Sequence, residues 1–213
     1  MPVGCGIAVA NGQVILWDIV NAIVFFDGQN IYRSAKDAWH IDSDISTYKY
    51  TWPCYDVKTL SETLVASSTG RILTQIRFYT GVPDTNQNLF WHVFWLNKIR
   101  FLQGQGIEVY KGRINNSGQE KGVDVKIAID LIRLTYEKQF DIALILSQDR
   151  DFEPAIKLAK EIAKDQKRVI EFESHFIVGT GSSSDRGIPG TAWKPIDKII
   201  YDSCYDSNDY RNP

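Results

Sequence analysis

The stretch AIVFFDGQNIY, residues 22–32, constrains the fold more than any other part of the chain. Ile23 to Phe26 form an apolar run without polar alternation, as expected of a strand covered on both faces. The run stops at Asp27 and is followed by Gly28 and Asn30. A second run, DIALILS at 141–147, has the same character and leads into Asp149 and Asp151. In all, apolar β-branched runs fall at 22–26, 72–79, 107–110, 140–146 and 168–172, and helical spacing occupies 28–38, 57–67, 88–102, 122–137 and 152–164. Strand and helix in this rhythm predict an α/β fold, a Rossmann-like parallel sheet with helices on both faces.

A length of 213 residues suits one such domain, which we expect over 21–213 after an N-terminal extension over 1–20. The first twenty residues lack a basic leader and a long apolar run, so they read as neither a signal peptide nor a membrane span. A short hairpin, a disordered lead and an upstream-assigned start codon remain open for them. SHFIVGTGSSSDRGIPG, residues 174–190, is rich in Gly and Ser and predicts a mobile loop, and the tail from Trp193 predicts a short closing helix with a polar end. The net charge of −2 provides no bulk attraction to nucleic acid or to an anionic membrane, so a site for a polyanion must be local. Cys5, Cys54 and Cys204 have neither disulfide-framework nor zinc spacing, which points to a reducing, cytoplasmic setting. His40, His92 and His175 show no ligand spacing, and no glycine-rich phosphate loop or nucleophile elbow is present.

The two strand-ending carboxylates gain meaning from the expected topology. In open parallel sheets, ligands bind beyond the carboxyl ends of the strands where strand order reverses. Ser147, Asp149 and Asp151 alternate after the second run and meet Asp27 if the two strands are neighbours. In EKGVDVKIAIDLI, residues 120–132, Asp124 shares a helical face with Ile127, Ala128 and Leu131, at the start of a helix expected on the same rim. Asp130 points elsewhere and is a candidate partner of Lys126 at i,i+4. Clustered carboxylates repel one another, and a hard divalent cation with oxygen ligands relieves that cost. Each acid alone has a plainer reading: Asp27 as a turn or cap residue, Asp151 as a cap for the helix at 152–164, and Asp124 as an ordinary first-turn acid. The convergence of three distant segments on one rim carries the weight.

FFDGQN, EKGVDVKIAIDL and LILSQDRDFEPAIK, in this order, resemble the NYN domain in its LabA-like bacterial branch, within the PIN-like nuclease superfamily. YRSAKDAW, YDVKTL, RFYTGVP and YDSCYDSNDYR extend the resemblance over residues 20–210. It implies a PIN-like strand order and a metal-dependent ribonuclease-like site. By motif, it makes Asp27, Asp124, Asp149 and Asp151 the catalytic and metal-binding acids for Mg²⁺ or Mn²⁺, with Asn30, Lys121 and Ser147 as polar supports that contact substrate. One departure stands out. The family usually carries small residues around these late acids, as in Ser-Gly-Asp-Ser-Asp, where this chain has Gln148 and Arg150. Arg150 would either grip phosphate or partly fill the site.

The implied substrate is RNA. Lys111, Arg113, Lys121 and Arg150, with Arg33 and Lys36, are expected to form a basic approach, and solvated surface charge is the alternative. YKYTWPCY, residues 48–55, would make an aromatic platform for a single strand or a loop pinned to the core by its rings. A different class also stays open: a regulatory module that binds RNA or a protein partner, as a monomer or homo-oligomer, and cleaves nothing.

Overall fold

The computed structural model describes residues 5–10, 13–182 and 184–211. Residues 1–4, 11 and 12 of the expected extension, Ser183 of the expected loop, and the last two residues of the tail lie outside the described residues. Strands β1 (Cys5–Ala10) and β2 (Gln13–Asp18) pair antiparallel as a separate two-stranded sheet, in keeping with the hairpin reading.

β3 (Val20–Asp27) shows why its sequence lacks alternation. Ala22, Val24 and Phe26 enter one core and Ile23 and Phe25 the other, and all five are buried. Each large side chain contributes about 1.5–3 kcal/mol by leaving water. β7 (Ile142–Leu146) splits in the same way, with Leu144 and Leu146 on one face and Ala143 and Ile145 on the other. The remaining strands are β4 (Arg71–Val82), β5 (Glu108–Ile114), β6 (Glu120–Lys121), β8 (Glu171–Ile177) and β9 (Ala192–Ile196). The seven-stranded sheet runs β6-β5-β4-β3-β7-β8-β9, and only the β5–β6 pair is antiparallel. Helices α1 (Gly28–Trp39), α2 (Val57–Ala66), α3 (Thr85–Gly104) and α6 (Lys198–Ser203) pack on the first face. Helices α4 (Val123–Tyr136) and α5 (Glu153–Asp165) cover the second. The α/β, Rossmann-like sheet with helices on both faces is therefore the architecture of this chain.

The largest differences from the sequence reading lie at β8, β9 and β5. β8 runs through Ile177, so Ser174 to Ile177 belong to a strand rather than to the expected loop. The polar residues that disguised it are satisfied inside: Arg71 donates to both Glu173 oxygens at 2.9 and 3.0 Å, and the Ser174 hydroxyl accepts from Ile188 N at 3.1 Å. β9 falls at the start of the expected tail, contains Pro195, and precedes the closing helix α6. It is an edge strand, where proline is tolerated because a free edge needs no donor. β5 is longer than expected and turns back through β6, which the sequence reading missed.

The end of the chain is tied to the core. The ammonium of Lys98 is fully buried and donates to Asp206 at 2.7 Å and to the carbonyls of Pro53 and Tyr55 at 3.1 and 3.0 Å. Tyr210 donates its hydroxyl to the same carboxylate at 2.8 Å. Tyr50 and Tyr55 are buried too, so the aromatic stretch at 48–55 serves mainly to pin its loop, with Tyr48 left exposed.

Two stability predictions follow from buried contacts. A Cβ on Gly28 would lie 2.5 Å from the Phe78 ring, so Gly28→Ala should cost about 1–3 kcal/mol in urea unfolding; an unchanged midpoint would show that the helix start can shift freely. For Glu173, burial would raise the carboxyl, but hydrogen bonds from His175 and Arg71 outweigh it and hold the group at about 2. A depressed folded-state value adds stability above the ordinary carboxylate range and loses it as pH falls toward 2. Arg71→Ala should therefore be less stable than wild type by about 3 kcal/mol at pH 7, with the gap narrowing below pH 4. A deficit that is the same at pH 7 and pH 3 would exclude this ion pair as its source.

Candidate active site

The strand order reverses at β3, which has β4 on one side and β7 on the other. β3 and β7 are parallel with Phe26 opposite Leu146, so both chains leave the sheet side by side. Asp27 is the last residue of β3 and the N-cap of α1, accepting a hydrogen bond from Asn30 N at 3.0 Å. It is only 5% exposed. Ser147, fully buried after β7, donates its hydroxyl to the other Asp27 oxygen at 3.3 Å and accepts from Asp149 N at 3.2 Å. Asn30 joins the two sides, its side-chain oxygen accepting from Gln148 N at 3.4 Å. Asp27, Asn30, Ser147 and Asp149 thus form one hydrogen-bonded crest across two strand ends.

Asp124 reaches this crest from the first turn of α4, after Gly122, whose φ of 87° turns the chain out of β6. A cavity of about 370 Å³ is lined by Asp27, Asp124 and Asp149 together with Asn30, Arg33 and Lys121. Four of the expected residues, Asp27, Asp124, Asp149 and Asn30, and the lysine Lys121 therefore share one hollow, with Ser147 beneath it. Asp151 and Arg150 do not line it. Both are exposed on the short turn Arg150–Phe152, where Asp151 N donates to the Asp149 carboxylate at 2.9 Å. Asp149 caps this turn, and α5 starts after Phe152, so Asp151 is not the cap of that helix. Arg150 does not fill the cavity. The Gln148 side-chain oxygen is buried without a hydrogen-bond donor.

Glu120 also lines this cavity, and the sequence reading passed over it. It sits on β6, and its carboxylate accepts from Gly81 N. The turn residues Asn115, Ser117 and Gly118 ahead of it were the available signal for a hairpin.

The acids raise one another. Burial pushes Asp27 up to about 7 against the opposing hydrogen bond from Asn30, with Asp124 and Asp149 adding repulsion. Burial pushes Glu120 up to about 8, again with Asp27 and Asp124 nearby. Asp124 is raised by burial and by Asp149 and Asp151, with Lys121 offsetting part of this. Among the described residues no three Asp, Glu, His or Cys side chains converge tightly enough to cage an ion as they stand. The all-oxygen donor set, crowded and short of positive charge, fits a hard divalent cation.

The expected basic approach is partly assembled. Lys111, Arg113 and Lys121 line one groove beside the acids, and Arg33 lines the acidic cavity itself. Lys36 lies in the last turn of α1, on the order of 12 Å along the helix from its start, and belongs to no part of this rim. Asp130 is fully buried away from the site, held by Lys126 at 2.6 Å, Tyr79 at 2.9 Å and Arg77 at 3.1 Å, so its pairing with Lys126 is as expected. No helix among the described residues is long and apolar enough to cross a membrane.

No curated protein matches the chain. A crystal structure of a protein of unknown function from Vibrio parahaemolyticus superposes with a TM-score of 0.50 at 15% identity, covering 84% of this chain and 94% of that one. At that identity the likeness bears on the fold alone. The NYN domain model matches residues 21–175, a span that holds β3, the crest after β7 and every acid lining the cavity. The chain therefore belongs to the NYN domain family of the PIN-like nuclease superfamily.

Proposed function

We propose that this NYN domain is a ribonuclease that hydrolyses RNA phosphodiester bonds at the Asp27–Asp124–Asp149 cavity with Mg²⁺ or Mn²⁺. The observation that carries the reading is a single cavity lined by carboxylates from three elements at the point where strand order reverses, with a lysine beside them. Asp27, Asp124 and Asp149 would hold the metal, with Asp151 as the outer acid. A divalent cation bound there supplies neutralisation of the scissile phosphate and an acidified water. Ser147 and Asn30 orient Asp27 by occupying both of its oxygens. Lys121 offers a mobile point charge to a non-bridging phosphate oxygen. Burial and the nearby Asp27 push Glu120 up to about 8, so this fourth acid favours its protonated form more than an ordinary carboxylate does.

Three further assignments belong to this reading. FFDGQN, EKGVDVKIAIDL and LILSQDRDFEPAIK together support a LabA-like branch. The functional unit spans 21–213, because β9, α6 and Tyr210 complete the sheet and the core beyond the family match. The unpaired, buried Cys54 and Cys204 suit a reducing cytoplasm. A second reading, a module that binds RNA or a protein and cuts nothing, is favoured by one observation: Gln148 and Arg150 stand where the family has small residues.

Activity separates the two. Single-stranded RNA should be cut in Mn²⁺ or Mg²⁺ and protected by chelator. Asp27→Asn should abolish cutting, and Lys121→Ala should slow it by a smaller factor, on the order of tenfold. Arg150→Ser should weaken RNA binding and flatten its salt dependence. A folded wild type that cuts no RNA in either metal would favour the binding module. Metal linkage supplies an independent check. Melting temperature should rise with Mg²⁺ in wild type and rise less in Asp124→Asn and Asp149→Asn; equal gains in all three would mean that these acids do not hold the ion.

A further inference from the structure

A second cavity, of about 440 Å³, opens beside the acidic one between α1, the start of α3 and the β5–β6 turn. Gln29, Arg33 and Gly118 line both cavities, so the two are continuous along α1. Its walls combine aromatic faces with amides. Tyr32 and Trp91, both half-buried, stand with ring centroids 6.3 Å apart. Trp95, almost fully buried, packs on Phe78 and closes the floor. The Tyr32 hydroxyl is engaged, donating to Thr51 O at 2.8 Å, which fixes the ring.

The amide orientations follow from their partners. Asn88 interrupts α3 with extended backbone, and its side-chain oxygen accepts from Trp91 N at 3.1 Å, leaving its NH₂ group. Gln87 accepts from Asp84 N through its oxygen and donates to Ile114 O at 3.2 Å, so its NH₂ faces Asn116, whose oxygen accepts at 3.3 Å. Asn116 is left with its NH₂ as well. Gln29 has no side-chain hydrogen bond among the described residues and can turn either end inward. The cavity therefore offers two oriented donors and one amide of free sense, between aromatic faces, next to a cleft suited to phosphate.

We infer that this cavity is a base-binding subsite that seats one nucleobase of a single-stranded RNA, with a preference for pyrimidines, while the adjoining backbone runs past Arg33 into the acidic cleft. Base stacking on aromatic side chains is sequence-tolerant and suits Tyr32 and Trp91. Selectivity comes from the edge. The Watson–Crick edges of uracil and cytosine each present two acceptors, which match the two donors, whereas adenine and guanine present one there. Arg33, free of any ion pair among the described residues, sits where the phosphate between the two cavities would pass.

The inference rests on the ribonuclease reading, and one experiment separates them. Fluorescein-labelled RNA hexamers of uridine, of adenosine and of abasic ribose phosphate are titrated by anisotropy at low salt, in chelator so that nothing is cut. Wild type should bind the uridine hexamer about tenfold more tightly than the abasic one and several-fold more tightly than the adenosine one. Trp91→Leu should bring the uridine and abasic hexamers within about twofold of each other without weakening the abasic one. Because Trp91 also packs on Trp52 and Phe94, Asn116→Ala, which removes one of the two donors at an exposed turn position outside the acidic cavity, serves as the variant with no aromatic packing to lose. It should erase the uridine-over-adenosine preference and keep binding of the abasic hexamer. Equal affinity of wild type for all three hexamers, or a preference unchanged in both variants, overturns the subsite while leaving any metal-dependent cleavage standing. Absence of binding to every hexamer, together with absence of cleavage, overturns both readings.

Discussion

Parallel pairing of β3 with β7 is the constraint on which the site depends. It sets Phe26 opposite Leu146, so two chains emerge from the sheet one strand apart, and the next residues on each side are the polar ones. Main-chain register thereby delivers Asp27 and Ser147 to hydrogen-bonding distance, and Asn30 ties the Gln148 backbone to the same point. The apolar runs that fix this register are insulated from water by helices on both faces. A one-residue slip would exchange the two cores and would also move the carboxylate off the crest.

The acids at the crest are held in place by structure that does not itself favour their charge. Asp27 is the N-cap of α1, a role that normally stabilises a carboxylate. Burial and neighbouring acids outweigh that benefit and leave the group near neutrality. An acid cluster under this electrostatic strain suits a hard cation. Lys121 and Arg33 line the same cavity and offset only part of that repulsion.

Elsewhere, buried charges are paired and serve to anchor elements. Lys98 and Asp206 bind the C-terminal tail to α3, Arg77 and Asp130 join β4 to α4, and Arg71 and Glu173 reach from the start of β4 to β8. Each pair is costly to break from one side, since the remaining partner would be left buried and unpaired. These contacts explain why β8 looked like a loop. A strand carrying Glu, Ser and His has little hydrophobic pattern to read, and it becomes legible only when Arg71 and Ile188 supply its partners.

Local sequence determined the α/β alternation, the two doubly covered strands, the helix start at Asp27, and the identity of the acids that end the strands. These are decided by side-chain pattern and by capping, both of which act over a few residues. Tertiary structure alone decided which acids share a hollow. Glu120 entered it through a hairpin only two residues wide, Asp151 and Arg150 stayed on the rim, and Lys36 was carried away along α1. It also decided that the rings of 48–55 face mainly inward while Tyr32 and Trp91, fifty-nine residues apart in the chain, face a cavity together. Such meetings depend on strand order and helix direction, which are set by the summed packing of the whole chain and leave no mark on any short stretch of it.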